Sequence, residues 1–338
     1  MEYEKFECID FGTEFCPCHL ADKGECLICS QLQGKEFCDC KYWDGICIYQ
    51  EYINNNFKPR KLREIFKVRI LEKNIYEESL LKLTVLASHN LVMELLNPGS
   101  YIFIKSDEYN NYFDFPISIE SSNPNKDTLT FYIEIKGIKT KNILNIKVNQ
   151  SLLIRGPYFN GIFGIRNIKN TVNEKCLILA RGVGIAPSNL VINKLIKQEN
   201  KIKVLYDIAP FKEDYFNVDL KDKEENKEEN VEFIFNRNKF IEKGELSKEL
   251  KNFIKKQLEE GITFIHCAGP DILIYRLIEF LDSINRKDIK LSCCNNSRLC
   301  CGEGICGSCT ISFKGDKLKR FCKMQTDPRN IFKGRRFI

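Results

Sequence analysis

The sequence predicts a multidomain fold: an antiparallel β-barrel, then an α/β domain on a parallel sheet, with a cysteine-rich segment at either end. Three observations predict it. The 338 residues suffice for two or three domains. The hydrophobic pattern changes near Glu174 from strand alternation to a strand–turn–helix order. The 17 cysteines gather at the ends: eight lie between Cys8 and Cys47, and seven between Cys293 and Cys322. Cys176 and Cys267 sit alone in apolar runs and read as small core residues. The expected sections are 1–58, 59–163, 164–286 and 287–338.

Residues 1–58 are short of helical periodicity and are expected to fold around metal. From about 63 to 160, LLKLTVLAS (80–88), GSYIFIKS (99–106) and TLTFYIEIKG (128–137) alternate and are rich in β-branched and aromatic residues. Several such strands with turns between them predict a small barrel. CLILA (176–180), a glycine turn, the helix PSNLVINKLIKQ (187–198) and the strand IKVLYDIA (202–209) make a βαβ unit, the building block of a parallel sheet. FIFN (233–236) and TFIHCAG (263–269) read as further strands, DILIYRLIEFLDSI (271–284) as a helix and KDKEENKEEN (221–230) as a solvated loop.

The charge balance, 52 basic against 46 acidic residues, lacks the concentrated basic face of a nucleic-acid binder. No run reaches the roughly 18 apolar residues of a membrane span. The start, MEYEKFECID, has no signal-peptide pattern, so the expected location is cytoplasmic. In that reducing compartment, clustered cysteines read as metal ligands rather than disulfides.

Near the C-terminus CCGEGICGSCT gives C-x4-C-x2-C from Cys301, with twelve residues between Cys309 and Cys322. This spacing suits a [2Fe-2S] cluster on Cys301, Cys306, Cys309 and Cys322. Gly302, Gly304 and Gly307 let the backbone curl and aim amide N–H groups at sulfur. Zinc also takes four thiolates; the spacing and the interleaved glycines favour iron–sulfur. Cys300 gives the wrong gap, and Cys293 and Cys294 have no assignable role.

The order of barrel, βαβ domain and cluster loop resembles the electron-transfer subunit of dihydroorotate dehydrogenase, in the ferredoxin–NADP reductase superfamily, over roughly residues 63–330. PGSYIFI (98–104) looks like a PGQF-type strand, FPISI (115–119) like the flavin segment R-P-[IL]-S, and GIKT (137–140) like G-x-G-T. GPYFNGIF (156–163) resembles GPLGNGF, RGVGIAP (181–187) GGIGxAP, and AGPDIL (268–273) CGPxPML. The resemblance implies a flavin-type barrel and a nucleotide-binding sheet. It implies FAD near Pro116, Ser118, Gly137, Lys139 and Thr140, and NAD(P) near Gly182, Gly184, Pro187, Gly269 and Pro270. It also implies a partner, a catalytic dehydrogenase subunit or another redox protein.

The departures are specific. Phe115 stands where the flavin motif has a phosphate-binding arginine, and losing that contact costs about 1.5–3 kcal/mol. Lys139, Phe159 and Arg181 replace glycines, and Ala268 replaces a cysteine. Lys139 is the replacement cation the sequence offers; Arg181 either grips a phosphate or fills its space.

Cys8, Cys16, Cys18, Cys26, Cys29, Cys38, Cys40 and Cys47 are enough for one or two further metal sites, iron–sulfur or zinc. His19 and Asp39 are alternative ligands, and Tyr42 and Trp43 the expected core of that module. Two functions compete: a subunit passing electrons from NAD(P)H through FAD to the cluster, and a flavin-free metal-binding relay or redox sensor with degenerate pockets.

Overall fold

A computed structural model of the chain describes residues 7–39, 45–107, 114–213, 215–216, 230–236, 239–313 and 317–332. Cys40, Tyr42, Trp43 and most of the charged run 221–230 lie outside the described residues.

The barrel has seven antiparallel strands, ordered Phe115–Ser118, Tyr101–Ser106, Ser151–Tyr158, Ile65–Tyr76, Leu80–Leu86, Thr128–Glu134 and Ser121–Asn123. One extended segment closes it. Ile119 N–H donates to the Ser100 carbonyl at 3.1 Å and Glu120 N–H to the Thr130 carbonyl at 3.0 Å, so residues 115–123 pair first with one edge strand and then with the other. Alternation along each strand puts Leu81, Leu83 and Val85, Ile102 and Ile104, and Leu129, Phe131 and Ile133 inside.

The second sheet runs Val231–Asn236, Lys201–Asp207, Lys175–Arg181, Phe264–Ala268, Lys290–Cys294, Ile162–Phe163. Its first five strands are parallel and the last is antiparallel. Helix Ile185–Ile196 packs on one face; helices Lys248–Glu259 and Asp271–Ser283 pack on the other. Ser247 caps the second helix by accepting from Leu250 N–H at 3.2 Å. The chain moves outward from Lys175–Arg181 and returns on the other side with Phe264–Ala268. That reversal makes a switch point between these two strands, and ligands of open α/β sheets bind outside the strand ends there. Two boundaries differ from the sequence reading. Ile162–Phe163, given to the barrel, and Lys290–Cys294, given to the cluster segment, complete this sheet.

The N-terminal segment contains helices His19–Asp22 and Ile48–Asn54, which sequence periodicity missed because each is so short. Cys47 Sγ accepts from Gln50 N–H at 3.4 Å where a cap normally carries oxygen. Ala21, Leu32, Ile48 and Tyr52 form its small core. Strand Glu7–Cys8 pairs antiparallel with Met324–Gln325, so the two ends of the chain fold together. Among the described residues no helix is long and apolar enough to cross a membrane.

His266 lies fully buried in the centre of the parallel sheet. Its Nδ1 stands 2.7 Å from Ser292 Oγ, and Nε2 is buried without a partner. Burial pulls its pKa down from 6.5 to about 3. The folded ring therefore stays neutral where the unfolded chain protonates. The unfolded state binds the extra proton between those two values, so stability falls as pH drops through that window. One such group contributes at most about 1.4 kcal/mol per pH unit. His266→Gln is expected to flatten the pH dependence of the unfolding midpoint between about pH 6 and pH 5, above the carboxylate range. An unchanged slope would show that His266 is not the group responsible.

Candidate functional site

The cluster loop brings its four cysteines together. Cys322 lies beside Cys301 and Cys309, and Cys301 beside Cys306. Backbone donors point at the sulfurs: Glu303 N–H at 3.3 Å and Cys306 N–H at 3.5 Å to Cys301, Ser308 N–H at 3.4 Å to Cys306, Cys322 N–H at 3.4 Å to Cys309. The neighbouring Cys322 thiol, aided by backbone N–H groups, pulls Cys301 and Cys309 down, while burial pushes Cys306 up and the neighbouring Cys301 and Cys309 push Cys322 up. A loop that groups four thiols and aims backbone N–H donors at three of their sulfurs fits an iron–sulfur cluster. Among the described residues no three His, Cys, Asp or Glu side chains stand around a single ion position. The fit therefore rests on the sulfur contacts and the amide donors. Cys300 is exposed, while Cys293 and Cys294 are buried in the second domain.

Behind the loop lies a buried ion network. Arg63 bonds Asp10 at 2.7 Å and Glu303 at 2.8 Å; Lys323 bonds Asp10 at 2.6 Å and Glu303 at 3.3 Å. The Arg63, Asp10 and Lys323 side chains are each 1% exposed. Burial alone would raise both carboxyls, but Lys323 and Arg63 hold Asp10 and Glu303 below their usual range. Tyr158 donates to Glu303 at 2.9 Å, and the Arg63 guanidinium lies 3.9 Å from the Phe15 ring centroid.

The outer barrel face leads directly to this loop. Cross-strand register aligns Pro116, Phe103 and Arg155 in one row, and Ser118, Tyr101 and Tyr158 in the next. Tyr101 and Tyr158 stack at 5.1 Å. Arg155 packs 4.3 Å from the Phe103 centroid, pairs with Asp114 at 2.7 Å and donates to the Cys301 carbonyl at 2.8 Å. Arg155 was missed by sequence reasoning, because an arginine inside a strand carries no motif. Phe115 is packed inside the barrel, so strand alternation removes it from the outer face. Lys139 Nζ donates to the Asp114 carbonyl at 2.9 Å, which brings the GIKT turn beside FPIS. Gly137 and Thr140 cap each other locally: Thr140 Oγ1 accepts from Gly137 N–H at 3.2 Å and donates to its carbonyl at 3.0 Å.

At the switch point Gly184 and Gly269 meet beyond the strand ends, with Gly182 in the turn before, Pro187 in the helix that follows and Pro270 next to Gly269 in sequence. A Cβ on Gly184 would lie 2.6 Å from the Ala268 carbonyl oxygen, so RGVG and AGP are in backbone contact. Arg181 reaches Asp207 at 3.2 Å, at the tip of the next strand. Buried Asn160, also unforeseen, donates to the Met324 carbonyl at 2.9 Å and accepts from Gln325 at 2.6 Å. The N-G step of GPYFNG thus fastens the chain just past Cys322. In the N-terminal segment, Asp39 pairs with Lys35 at 3.2 Å and His19 is half-buried.

Gly302 has φ +73°, and a Cβ there would meet the Tyr158 ring at 2.4 Å; Gly307 has a similar φ of +76° but would meet nothing nearer than Arg320 Nη1 at 3.4 Å and Thr310 Oγ1 at 3.6 Å. The left-handed conformation costs an L-residue about 1–2 kcal/mol at either position, and only Gly302 adds a clash with a ring that has no room to move. Gly302→Ala should therefore lower the unfolding midpoint and bound iron more than Gly307→Ala. Equal effects would contradict the packing described.

No family model matches the chain. It is 24% identical over 269 residues to the electron transfer subunit of dihydroorotate dehydrogenase B (NAD(+)) of Clostridium acetobutylicum, covering 78% of this chain and 94% of the relative. It is 23% identical over 258 residues to the same subunit of Enterococcus faecalis, covering 73% and 89%. Among solved structures, the NADH-dependent reduced ferredoxin-NADP oxidoreductase superposes with a TM-score of 0.56 at 16% identity, covering 77% of this chain and 86% of that one. That superposition shows the fold, and both sequence relationships run through most of the chain. Over most of its length the chain is thus similar to dihydroorotate dehydrogenase electron transfer subunits, and it shares the fold of a ferredoxin-NADP oxidoreductase.

Proposed function

We propose that this chain is an electron-transfer subunit that passes electrons from NAD(P)H, through FAD and a [2Fe-2S] cluster, to a partner protein. The observation that carries this reading is the unbroken contact between the outer barrel face and the cluster loop, from Pro116 and Ser118 through Tyr101 and Phe103 to Arg155, Tyr158 and the Cys301 carbonyl. When bound, FAD takes a hydride and a [2Fe-2S] cluster carries single electrons. The protein's part is to hold the two carriers close and exclude water between them. Pro116 and Ser118 would face the flavin ring, and Gly137, Lys139 and Thr140 the pyrophosphate side. Gly182, Gly184, Pro187, Gly269 and Pro270 would frame the nicotinamide nucleotide at the switch point. Cys301, Cys306, Cys309 and Cys322 would hold the cluster. The partner is a catalytic dehydrogenase subunit or another redox protein, and the proposed setting is the cytoplasm.

One observation favours the flavin-free relay instead. The nearby cations are already engaged: Arg155 and Lys139 on Asp114, Arg181 on Asp207. Anaerobic purification with cofactor extraction separates the readings. The proposal expects FAD together with iron and acid-labile sulfide, flavin bleaching on adding NADH or NADPH, and a two-iron paramagnetic resonance signal that Cys306→Ser abolishes while FAD remains. Clusters without any flavin would overturn the first reading in favour of the second. A signal unchanged in Cys306→Ser would remove the ligand assignment.

A further inference from the structure

The described N-terminal cysteines line two adjoining cavities that share Phe11, Ile28 and Ile48 and meet where Cys29 N–H donates to Cys26 Sγ at 3.5 Å. Cys8, Cys16, Cys18 and Cys26 line one cavity, walled by Phe11, Leu20, Ile28 and Ile48 among others. Cys29, Cys38 and Cys47 line another. Cys8 and Cys16 each lie within electrostatic reach of Cys18 and Cys26, and Cys26 is also within reach of Cys29. All four are free thiols. Their spacing is symmetric: seven residues lie between Cys8 and Cys16, one between Cys16 and Cys18, and seven between Cys18 and Cys26.

Four thiols lining one largely apolar pocket beside Asp10 make few favourable contacts as neutral groups, and as bare thiolates they would repel one another. A thiophilic metal uses this donor set and neutralises it. We propose that Cys8, Cys16, Cys18 and Cys26 form one thiolate-bound metal centre, separate from the group around Cys29, Cys38 and Cys47 and fastened to the C-terminal cysteine loop. Several contacts do the fastening. Cys8 pairs with Met324 across the two-stranded sheet. Ile9 N–H donates to the Lys323 carbonyl at 2.9 Å, and Lys23 Nζ donates to the Ile305 carbonyl at 2.9 Å. Leu20 lies 3.0 Å from where a Gly304 Cβ would stand. The metal would thus order the backbone on which Cys322 and the loop glycines rest. No three of these thiols stand around a single ion position, so the set suits a cluster of several iron atoms better than one zinc or iron ion.

The test uses full-length protein purified anaerobically, with zinc, iron and acid-labile sulfide counted per chain. Cys16→Ser and Cys26→Ser should each lose the same metal, and the double variant should lose no more than either. Cys38→Ser and Cys306→Ser should keep it, which separates this centre from the outer group and from the proposed C-terminal cluster. Metal lost without sulfide identifies a single ion; iron lost with sulfide identifies a cluster. Additive losses from Cys16→Ser and Cys26→Ser, no loss from either, or the same loss from Cys38→Ser would overturn the proposal. Because these variants risk unfolding the segment, wild-type protein gives a second reading. A chelator should make Cys8, Cys16, Cys18 and Cys26 reactive to iodoacetamide together, as read by mass spectrometry. Reactivity that a chelator leaves unchanged would also overturn it.

Discussion

Two cations and two anions with almost no access to water, Arg63 and Lys323 against Asp10 and Glu303, meet where the N-terminal segment, the barrel and the cluster loop join. Each charge is costly to bury alone, and each is tolerable only because the other three are in place. Arg63 also donates to the Pro157 carbonyl and Lys323 carries the backbone next to Cys322. Removing one member strands its partners in a dry environment, at a cost of about 3–5 kcal/mol for a broken buried pair. The network adds little net stability over an apolar junction, but it tolerates one arrangement of these segments far better than any other.

That arrangement fixes the site. Glu303 sits two residues after Cys301 and Lys323 one after Cys322, so positioning the charges positions two of the four cysteines. Tyr158 joins the network to the aromatic face of the barrel, through Glu303 on one side and Tyr101 on the other. Asn160 and Gln325 hold the return of the chain toward the parallel sheet. The outer barrel face, the cysteine loop and the strand that carries Cys8 are therefore parts of one packed junction.

Much of this was legible in the sequence because the signals are local. Leu81, Leu83 and Val85 alternate along one strand, CLILA and IKVLYDIA flank a glycine turn and a helix, and the C-x4-C-x2-C spacing lies within nine residues. What could not be read depends on partners far away along the chain. Asp10, Arg63, Glu303 and Lys323 look like ordinary surface charges until the fold brings them together across separations of up to 313 residues. Arg155 shows its role only through strand register, and the same register turns Phe115 inward, away from the position of the arginine it replaces. KLSCC (290–294) was drawn to the cysteine-rich tail by its composition, although its backbone belongs to the sheet.

The central claim is that the ion network makes the N-terminal segment and the cluster loop one cooperative unit. Native-state hydrogen exchange on full-length protein, comparing wild type with Arg63→Met, tests it most directly. The account predicts that amides in residues 8–18 and in 301–306 lose protection together and to a similar degree, because both sides rest on the same four charges. Loss of protection on one side with the other unchanged would contradict it.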